Sequence, residues 1–255
     1  MIRRRAVSAT SGTQRFSKPW RVWVLGLFLC GSVSANTIER TAGEFADASK
    51  NVLSWKTALI FGTGIAATAG STTLDRPVFE SFTYRNEGWW VEFGNFWGTP
   101  FPAIGLFAAT LVVPDSPRFQ RFGESLAAAM ITSTLLTGIL KYSFGRTRPS
   151  GTNTLSLPSG HTTVAFALAA VLEQNYGWGI GIPAYALAVV TAAARVADGA
   201  HWLSDTVLGA TIAIGVSEWF RRADDRDIEV VPYALERFPG AGTEYGVRFL
   251  MPLTL

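Results

Sequence analysis

The sequence predicts an all-α fold: a six-helix bundle embedded in a membrane and followed by a short C-terminal β-hairpin. Three observations carry that expectation. Six stretches, Ala58–Gly70, Phe101–Val113, Ser125–Leu140, Thr162–Leu172, Trp178–Ala194 and Thr206–Val216, hold no charged residue. They run for 11 to 17 residues and are rich in Ala and Leu, which favours helix over strand. Charged residues make up 16% of the chain and apolar ones 48%, against roughly 25% charged in an ordinary soluble domain.

At 255 residues with no low-complexity linker, the chain suits one large domain, here 36–220, flanked by segments 1–35 and 221–255. The first segment reads as a signal peptide or an N-terminal anchor. Arg3–Arg5, Arg15, Lys18 and Arg21 precede the apolar run Val22–Cys30, and Val33-Ser34-Ala35 offers a small-x-small cleavage site before Asn36. Cys30 is the single cysteine, so no internal disulfide forms. Asn36–Leu53 mixes acidic, basic and spaced apolar residues and reads as a short amphipathic helix.

A spanning helix needs about 20 mostly apolar residues, so the length of the six runs alone favours a soluble bundle. Their character argues the other way, because they are apolar on all sides where a soluble bundle shows a charged face. Flanking Thr, Ser, Trp and Tyr lengthen each span at the interface. Asp75–Thr99 is expected to be a connecting loop. Its eight aromatic residues between Phe79 and Trp97 fit an interfacial belt, a cover over a lipid-binding mouth or ordinary packing. Pro114–Pro117 and Asn175–Gly181 read as turns. Beyond Phe220, Arg221–Asp227 reads as a solvated charge cluster. Ile228–Leu235 and Thr243–Met251 then flank Pro239-Gly240-Ala241-Gly242 as a hairpin.

The formal charge is +3, but the basic residues are dispersed, which excludes a nucleic-acid surface and suits an anionic substrate. Both histidines of the chain fall between Lys141 and Asp205. Lys141 closes an apolar run and Arg148-Pro149 follows in a loop. Pro158-Ser159-Gly160-His161 opens the next run, where Ser159 can cap the helix and its first-turn N–H groups can hold an anion. Arg195, His201 and Asp205 form a third group, and a helix opening at Gly199 would put His201 and Asp205 on one face. Each cluster has a plain structural explanation: a lysine at a helix end, a serine at a helix start, a buried imidazole. Three such clusters, each beside the end of an apolar helix, hold the parts needed to bind and transfer a phosphoryl group.

K-x6-R-P, P-S-G-H and R-x5-H-x3-D, in this order, resemble the signature of the type 2 phosphatidic acid phosphatase and vanadium haloperoxidase superfamily. The motifs span about a quarter of the chain, Lys141 to Asp205. The resemblance implies that His201 attacks phosphorus to form a phosphohistidine, with Asp205 fixing its tautomer. It implies that Lys141, Arg148 and Arg195, with Ser159 and the Gly160 N–H, bind the phosphate oxygens. His161 would protonate the leaving alcohol and then activate water, with no metal and no cofactor. Serine usually precedes the third-motif arginine in this superfamily, and Ala194 stands there instead, which removes one hydroxyl donor.

The expected activity is therefore a metal-independent phosphomonoesterase or pyrophosphatase of the bacterial envelope. Its partners would be the membrane and a phosphorylated lipid: phosphatidate, phosphatidylglycerol phosphate, an isoprenyl pyrophosphate or lipid A. A soluble periplasmic acid phosphatase, a vanadate-dependent haloperoxidase and a non-catalytic phospholipid-binding module are the competing readings. The resemblance implies an inner-membrane protein with its site facing the periplasm. A cleaved signal conflicts with that placement, because it leaves Asn36 outside and the site inside unless one run, most readily Phe101–Val113, fails to cross.

Overall fold

The computed structural model describes residues 35–83, 88–113, 116–222, 229–236 and 243–250. The signal or anchor expected before residue 35, Pro114-Asp115, residues 223–228 and the Pro239–Gly242 turn lie outside the described residues. Residues 40–255 form one compact unit.

Helix α1 covers Ala35–Val52, matching the amphipathic segment. All six apolar runs are helices, each longer than its charge-free stretch or shifted by a residue: α2 Trp55–Ser71, α5 Pro100–Val112, α6 Pro117–Phe144, α7 Gly160–Tyr176, α8 Trp178–Ala197 and α9 Leu203–Trp219. The extra turns carry polar caps. Ser54 accepts from the Thr57 N–H and Ser116 from the Phe119 N–H, each binding a first-turn donor that has no partner within its helix. The expected Asp75–Thr99 loop is instead largely helical. A 3-10 turn, Thr72–Leu74, leads into α3, Asp75–Thr83, and α4 follows at Trp89–Trp97. Tertiary packing overrides the turn-like composition here. Phe79 meets the Trp202 ring edge-on at 5.7 Å, Phe93 stacks on Trp97, and Gly94 lies against Val190, Thr191 and Ala194 of α8. Trp89 stays 79% exposed, so this segment is partly core and partly outer surface.

Leu126 of α6, Leu168 and Val171 of α7, and Ile212 and Val216 of α9 make the main core, and Ala165, Ala169, Ala184 and Ala188 pack α7 on α8. Small residues let these helices approach closely, as bundles without a strong apolar driving force require. The Asn175–Gly181 turn reduces to Gly177, which alone separates α7 from α8. Two helices, α6 and α8, are long and apolar enough to cross a membrane, and at 1.5 Å per residue they reach about 42 and 30 Å. Ile131, Leu135, Ile139, Ile180, Ile182 and Val189 on these two helices are more than half exposed, an outer surface suited to lipid.

Consecutive long helices run in opposite directions and give the bundle two ends. At the end away from the motifs, Asn51 donates to the carbonyls of Trp219 and Arg221. Arg221 is half-buried, unlike the solvated cluster expected from composition, whereas Arg222 stays exposed as expected. Arg221 pairs with Glu173 and Glu218, and Arg222 with Glu124, all three glutamates buried. A carboxylate buried in an apolar bundle is costly unless paired, and these arginines supply the partners. The terminal hairpin is present, with β1, Glu229–Glu236, antiparallel to β2, Thr243–Leu250, in the register Glu229 opposite Leu250.

Candidate active site

The three motifs meet at one end of the bundle, and backbone hydrogen bonds set their spacing. Lys141 lies in the last turn of α6, which Gly145 ends with φ 55°, a left-handed conformation that favours glycine. The following loop folds back on itself through Arg148 N–H to Asn153 O and Ser156 N–H to Arg146 O. It is tied to the third motif by Ser150 N–H to Gly199 O. The end of α8 explains the R-x5-H spacing. Gly199 reverses the chain with φ 63°, and the N–H groups of Ala200 and His201 both donate to the carbonyl of Arg195.

Gly199 therefore closes a turn and does not open a helix, which corrects the expected geometry of His201 and Asp205. Helix α9 starts only at Leu203, and Asp205, in its first turn, accepts from the Trp202 N–H at 2.8 Å. The two residues are neighbours because Asp205 caps the helix that His201 precedes. His201 Nδ1 lies 3.7 Å from Asp205 Oδ2, a charge contact longer than a hydrogen bond. Among the described residues Nδ1 has no hydrogen-bond partner. Such contacts in unliganded sites tighten when substrate binds.

The second motif follows a cis Leu157–Pro158 bond. Ser159 is fully buried and, against expectation, makes no side-chain cap bond. Its Oγ accepts from the Thr162 hydroxyl and its N–H donates to the Asp205 carbonyl, tying α7 to α9. Gly160 faces open space beside Lys141, whose Cε would be the nearest atom, at 3.9 Å, to any side-chain carbon at that position. Lys141 Nζ donates to the carbonyls of Leu155 and Pro158. Burial pushes the His161 imidazole down to about 3, and the nearby charges of Arg195, His201, Lys141 and Arg148 add to the fall, so the separate clusters share one field. His201 is 2% exposed, and that burial pushes its imidazole down to about 4, with Asp205 pulling the other way and the three cations adding to the fall. The ring is therefore neutral at physiological pH, as a nucleophile must be.

All eight expected site residues, Lys141, Arg148, Ser159, Gly160, His161, Arg195, His201 and Asp205, thus lie at this end. Sequence reasoning missed five more. Asn95 of α4 accepts from Arg195 at 2.6 Å, and Ser156 donates to Asp205 in a very short hydrogen bond. Arg146 donates to Asp205, Ser204 and Asp75, and Asp75 also accepts from the Ser204 N–H and hydroxyl. Arg195 Nε is buried without a partner among the described residues, an unmet donor beside the histidines. The arrangement gathers two imidazoles, three cations and a buried carboxylate at one end of the bundle.

Residues 123–228, which hold all three motifs, match the family model of the PAP2 superfamily. A lipid A 1-phosphatase of Porphyromonas gingivalis is 38% identical over 108 residues, 40% of this chain and 24% of that protein. A lipid A 4'-phosphatase of Helicobacter pylori is 29% identical over 51% of this chain and 71% of its own length. The chain thus spans about a quarter of the first relative. Among solved structures, Aquifex aeolicus LpxE aligns with TM-score 0.50 and 22% identity, covering 56% of this chain and 92% of that one. A transmembrane PAP2-type phosphatidylglycerolphosphate phosphatase of Bacillus subtilis aligns with TM-score 0.52 and 18% identity, covering 64% and 92%. These two share the fold.

Proposed function

We propose that this chain is a phosphatase of membrane lipid phosphates that works through a phosphohistidine at His201, with a lipid A-type phosphate as the preferred substrate. The observation that carries the reading is the convergence of the three motifs at one end of the bundle, where Lys141 Nζ donates to the Pro158 carbonyl, the Ser159 N–H to the Asp205 carbonyl and the Ser150 N–H to the Gly199 carbonyl. The substrate class rests on the names of the two sequence relatives.

In the first step Nε2 of His201 attacks phosphorus and the phosphorus–oxygen bond to the lipid breaks. Burial and the nearby cations hold His161 well below its ordinary value; it is protonated once the anionic phosphate offsets those cations, and it gives that proton to the leaving alkoxide. In the second, His161 takes a proton from water, the hydroxide attacks the phosphohistidine, and inorganic phosphate leaves with His201 restored. Asp205 stabilises the imidazolium that forms when His201 is phosphorylated. Lys141, Arg148 and Arg195 offset the charge on the equatorial oxygens, the largest contribution in phosphoryl transfer. The loss of a hydroxyl at Ala194 leaves that set intact.

The distribution of basic residues favours a site facing outward. Arg40, Lys56, Arg118, Arg121, Arg221 and Arg222 lie at the far end. Among the described residues of the site end, Arg76 alone remains once Lys141, Arg146, Arg148 and Arg195 are assigned to the site. Cytoplasmic ends carry the excess of Lys and Arg, which supports a far end on the cytoplasmic side. Single cysteines placed near Gly151 and near Arg222, after Cys30→Ser, should be labelled from outside in intact cells only at the first position.

The deciding experiment is phosphate release in detergent from lipid A, phosphatidylglycerol phosphate, phosphatidate and an isoprenyl pyrophosphate, with and without chelator. Lipid A should turn over fastest and the chelator should have no effect. His201→Ala should abolish turnover and phosphoenzyme trapping, whereas His161→Ala should lose orders of magnitude in rate yet still bind phosphate. Full activity of the His201 variant removes the nucleophile assignment.

A further inference from the structure

Arg146 differs from the other basic residues of the site. Its Nη1 reaches Asp205 Oδ1 at 2.7 Å and the Ser204 hydroxyl at 2.6 Å, while its Nη2 reaches Asp75 Oδ2 at 2.6 Å. Two carboxylates, 5% and 0% exposed, therefore grip one guanidinium. Among the described residues Lys141 and Arg148 form no ion pair with a carboxylate, and Arg195 pairs only with the half-exposed Asp198. A cation neutralised on both forks is a poor phosphate ligand. It is well suited to hold other groups, since a planar guanidinium fixes two acceptors at a set separation and angle.

Asp75 extends the grip to the backbone. It accepts from the Ser204 N–H and from the Ser204 hydroxyl, both at 2.8 Å. It thereby anchors the first turn of α9, which carries Asp205 and directly follows His201. The Arg146 guanidinium lies 5.7 Å over the Trp202 ring, and Trp202 Nε1 donates to the Thr147 carbonyl, so the residue between His201 and Leu203 is clamped to the same loop. Asp75 opens α3, the start of the aromatic segment, so the support of the nucleophile is tied to that segment too.

We infer that Arg146 and Asp75 are positioning residues: they hold Asp205 and the His201-Trp202 turn in the geometry needed for attack and do not bind phosphate themselves. This rests on the proposed role of His201. It predicts a split between chemistry and binding, because the phosphate-binding cations stand outside the Asp75–Arg146–Asp205 chain.

The test compares Asp75→Asn, Arg146→Gln and the double variant with wild type and His201→Ala, in the full-length protein in detergent. The readouts are kcat with lipid A and the affinity for inorganic vanadate and phosphate. Asp75→Asn keeps the side-chain shape and serves alone if Arg146→Gln does not fold. The expected result is a fall in kcat of tenfold or more in each single variant, vanadate affinity within threefold of wild type, and a double variant no slower than the worse single one, as for groups acting in one chain. An unchanged kcat overturns the inference, and so does a parallel loss of kcat and vanadate affinity, which marks general collapse of the site. If His201→Ala stays active, the nucleophile assignment fails instead, and the two failures are distinguishable.

Discussion

Gly209 sits where α9 crosses the entry to α7, and replacing it with alanine tests how tightly the site depends on that crossing. A side-chain carbon at this position would lie 2.7 Å from the Ser159 carbonyl oxygen and 3.1 Å from the Thr163 hydroxyl. The first distance is about 0.7 Å short of ordinary contact, which begins at 3.4 Å. The obstacle is backbone and cannot rotate aside. The Ser159 carbonyl already accepts from the Thr163 N–H and hydroxyl, and the Ser159 N–H is bound to the Asp205 carbonyl. Gly209→Ala must therefore separate the two helices by several tenths of an ångström, at an overpacking cost of about 1–3 kcal/mol. That displacement falls between Asp205 on one helix and His161 on the other. Misplacement of about 1 Å can cost roughly 100-fold in rate, so kcat should drop about 10- to 100-fold, with a lower unfolding temperature in detergent. Gly105→Ala is the control, since nothing lies within 4 Å of that position and alanine favours helix by up to about 1 kcal/mol. If Gly209→Ala keeps wild-type kcat and unfolding temperature while Gly105→Ala behaves as expected, the close approach of α9 to the second motif is wrong.

Three further outcomes follow from the same geometry. With only two histidines in the chain, nitrogen-15 labelling gives two pairs of imidazole signals that His161→Ala assigns. The His201 signal should stay neutral down to about pH 4. Because the folded value lies below the ordinary 6.5, the unfolded chain binds this proton first, so stability is lost as pH falls from about 6.5 toward 4. A His201 midpoint near 6.5 refutes the buried environment. Gly98→Ala would bring a side-chain carbon to 2.7 Å from His161 Cβ and 2.5 Å from a Thr191 methyl group. It should lower kcat by at least about tenfold while phosphoenzyme still forms, and rapid-quench trapping checks this. At the far end, Glu124→Gln weakens pairs with Arg222 and Arg40, whose side chains are 42% and 56% exposed. Water can re-solvate both, so the loss should be no more than about 1 kcal/mol, with kcat unchanged.

The long helices were legible because their signal is local. An uncharged Ala- and Leu-rich run states its helical state within its own length, and neighbours only extend it by a capped turn, as Ser54 and Ser116 do. The candidate residues stood out for a different reason: their types and spacing are unusual in one chain, and the fold brings them to one end. What was hidden depends on partners distant in sequence. Asp75 follows an apolar helix and precedes Pro77, where an aspartate is an ordinary helix starter, and nothing local reveals its bonds to Ser204 and Arg146. Arg146 lies two residues before Arg148 in the same loop, and only the fold separates the one bound to carboxylates from the one facing the site. Gly199 illustrates the same limit, since glycine serves equally to open or to close a helix, and the carbonyl of Arg195 decides between them. Arg221 looked solvated because its partner Glu173 lies 48 residues away along the chain.

The charge balance of the site gives a reason for the fourth basic residue. Lys141 is held by the Leu155 and Pro158 carbonyls, Arg148 by the Asn153 side-chain oxygen, and Arg195 by Asn95 together with the half-exposed Asp198. Neutral acceptors fix these groups in place while leaving nearly all their charge for an incoming anion. Asp205 threatens that arrangement, because a buried carboxylate within the shared field attracts the nearest cation, and substrate would then have to break an ion pair to bind. Arg146 removes the conflict by occupying Asp205 from the side of Asp75, so that the carboxylate still faces His201 while Lys141, Arg148 and Arg195 stay available. Losing Arg146 should then slow the chemistry, while the neutral acceptors keep Lys141, Arg148 and Arg195 in place. Vanadate affinity of Arg146→Gln should stay within threefold of wild type, and a larger loss would mean that Asp205 captures one of these cations and that the neutral acceptors do not hold them.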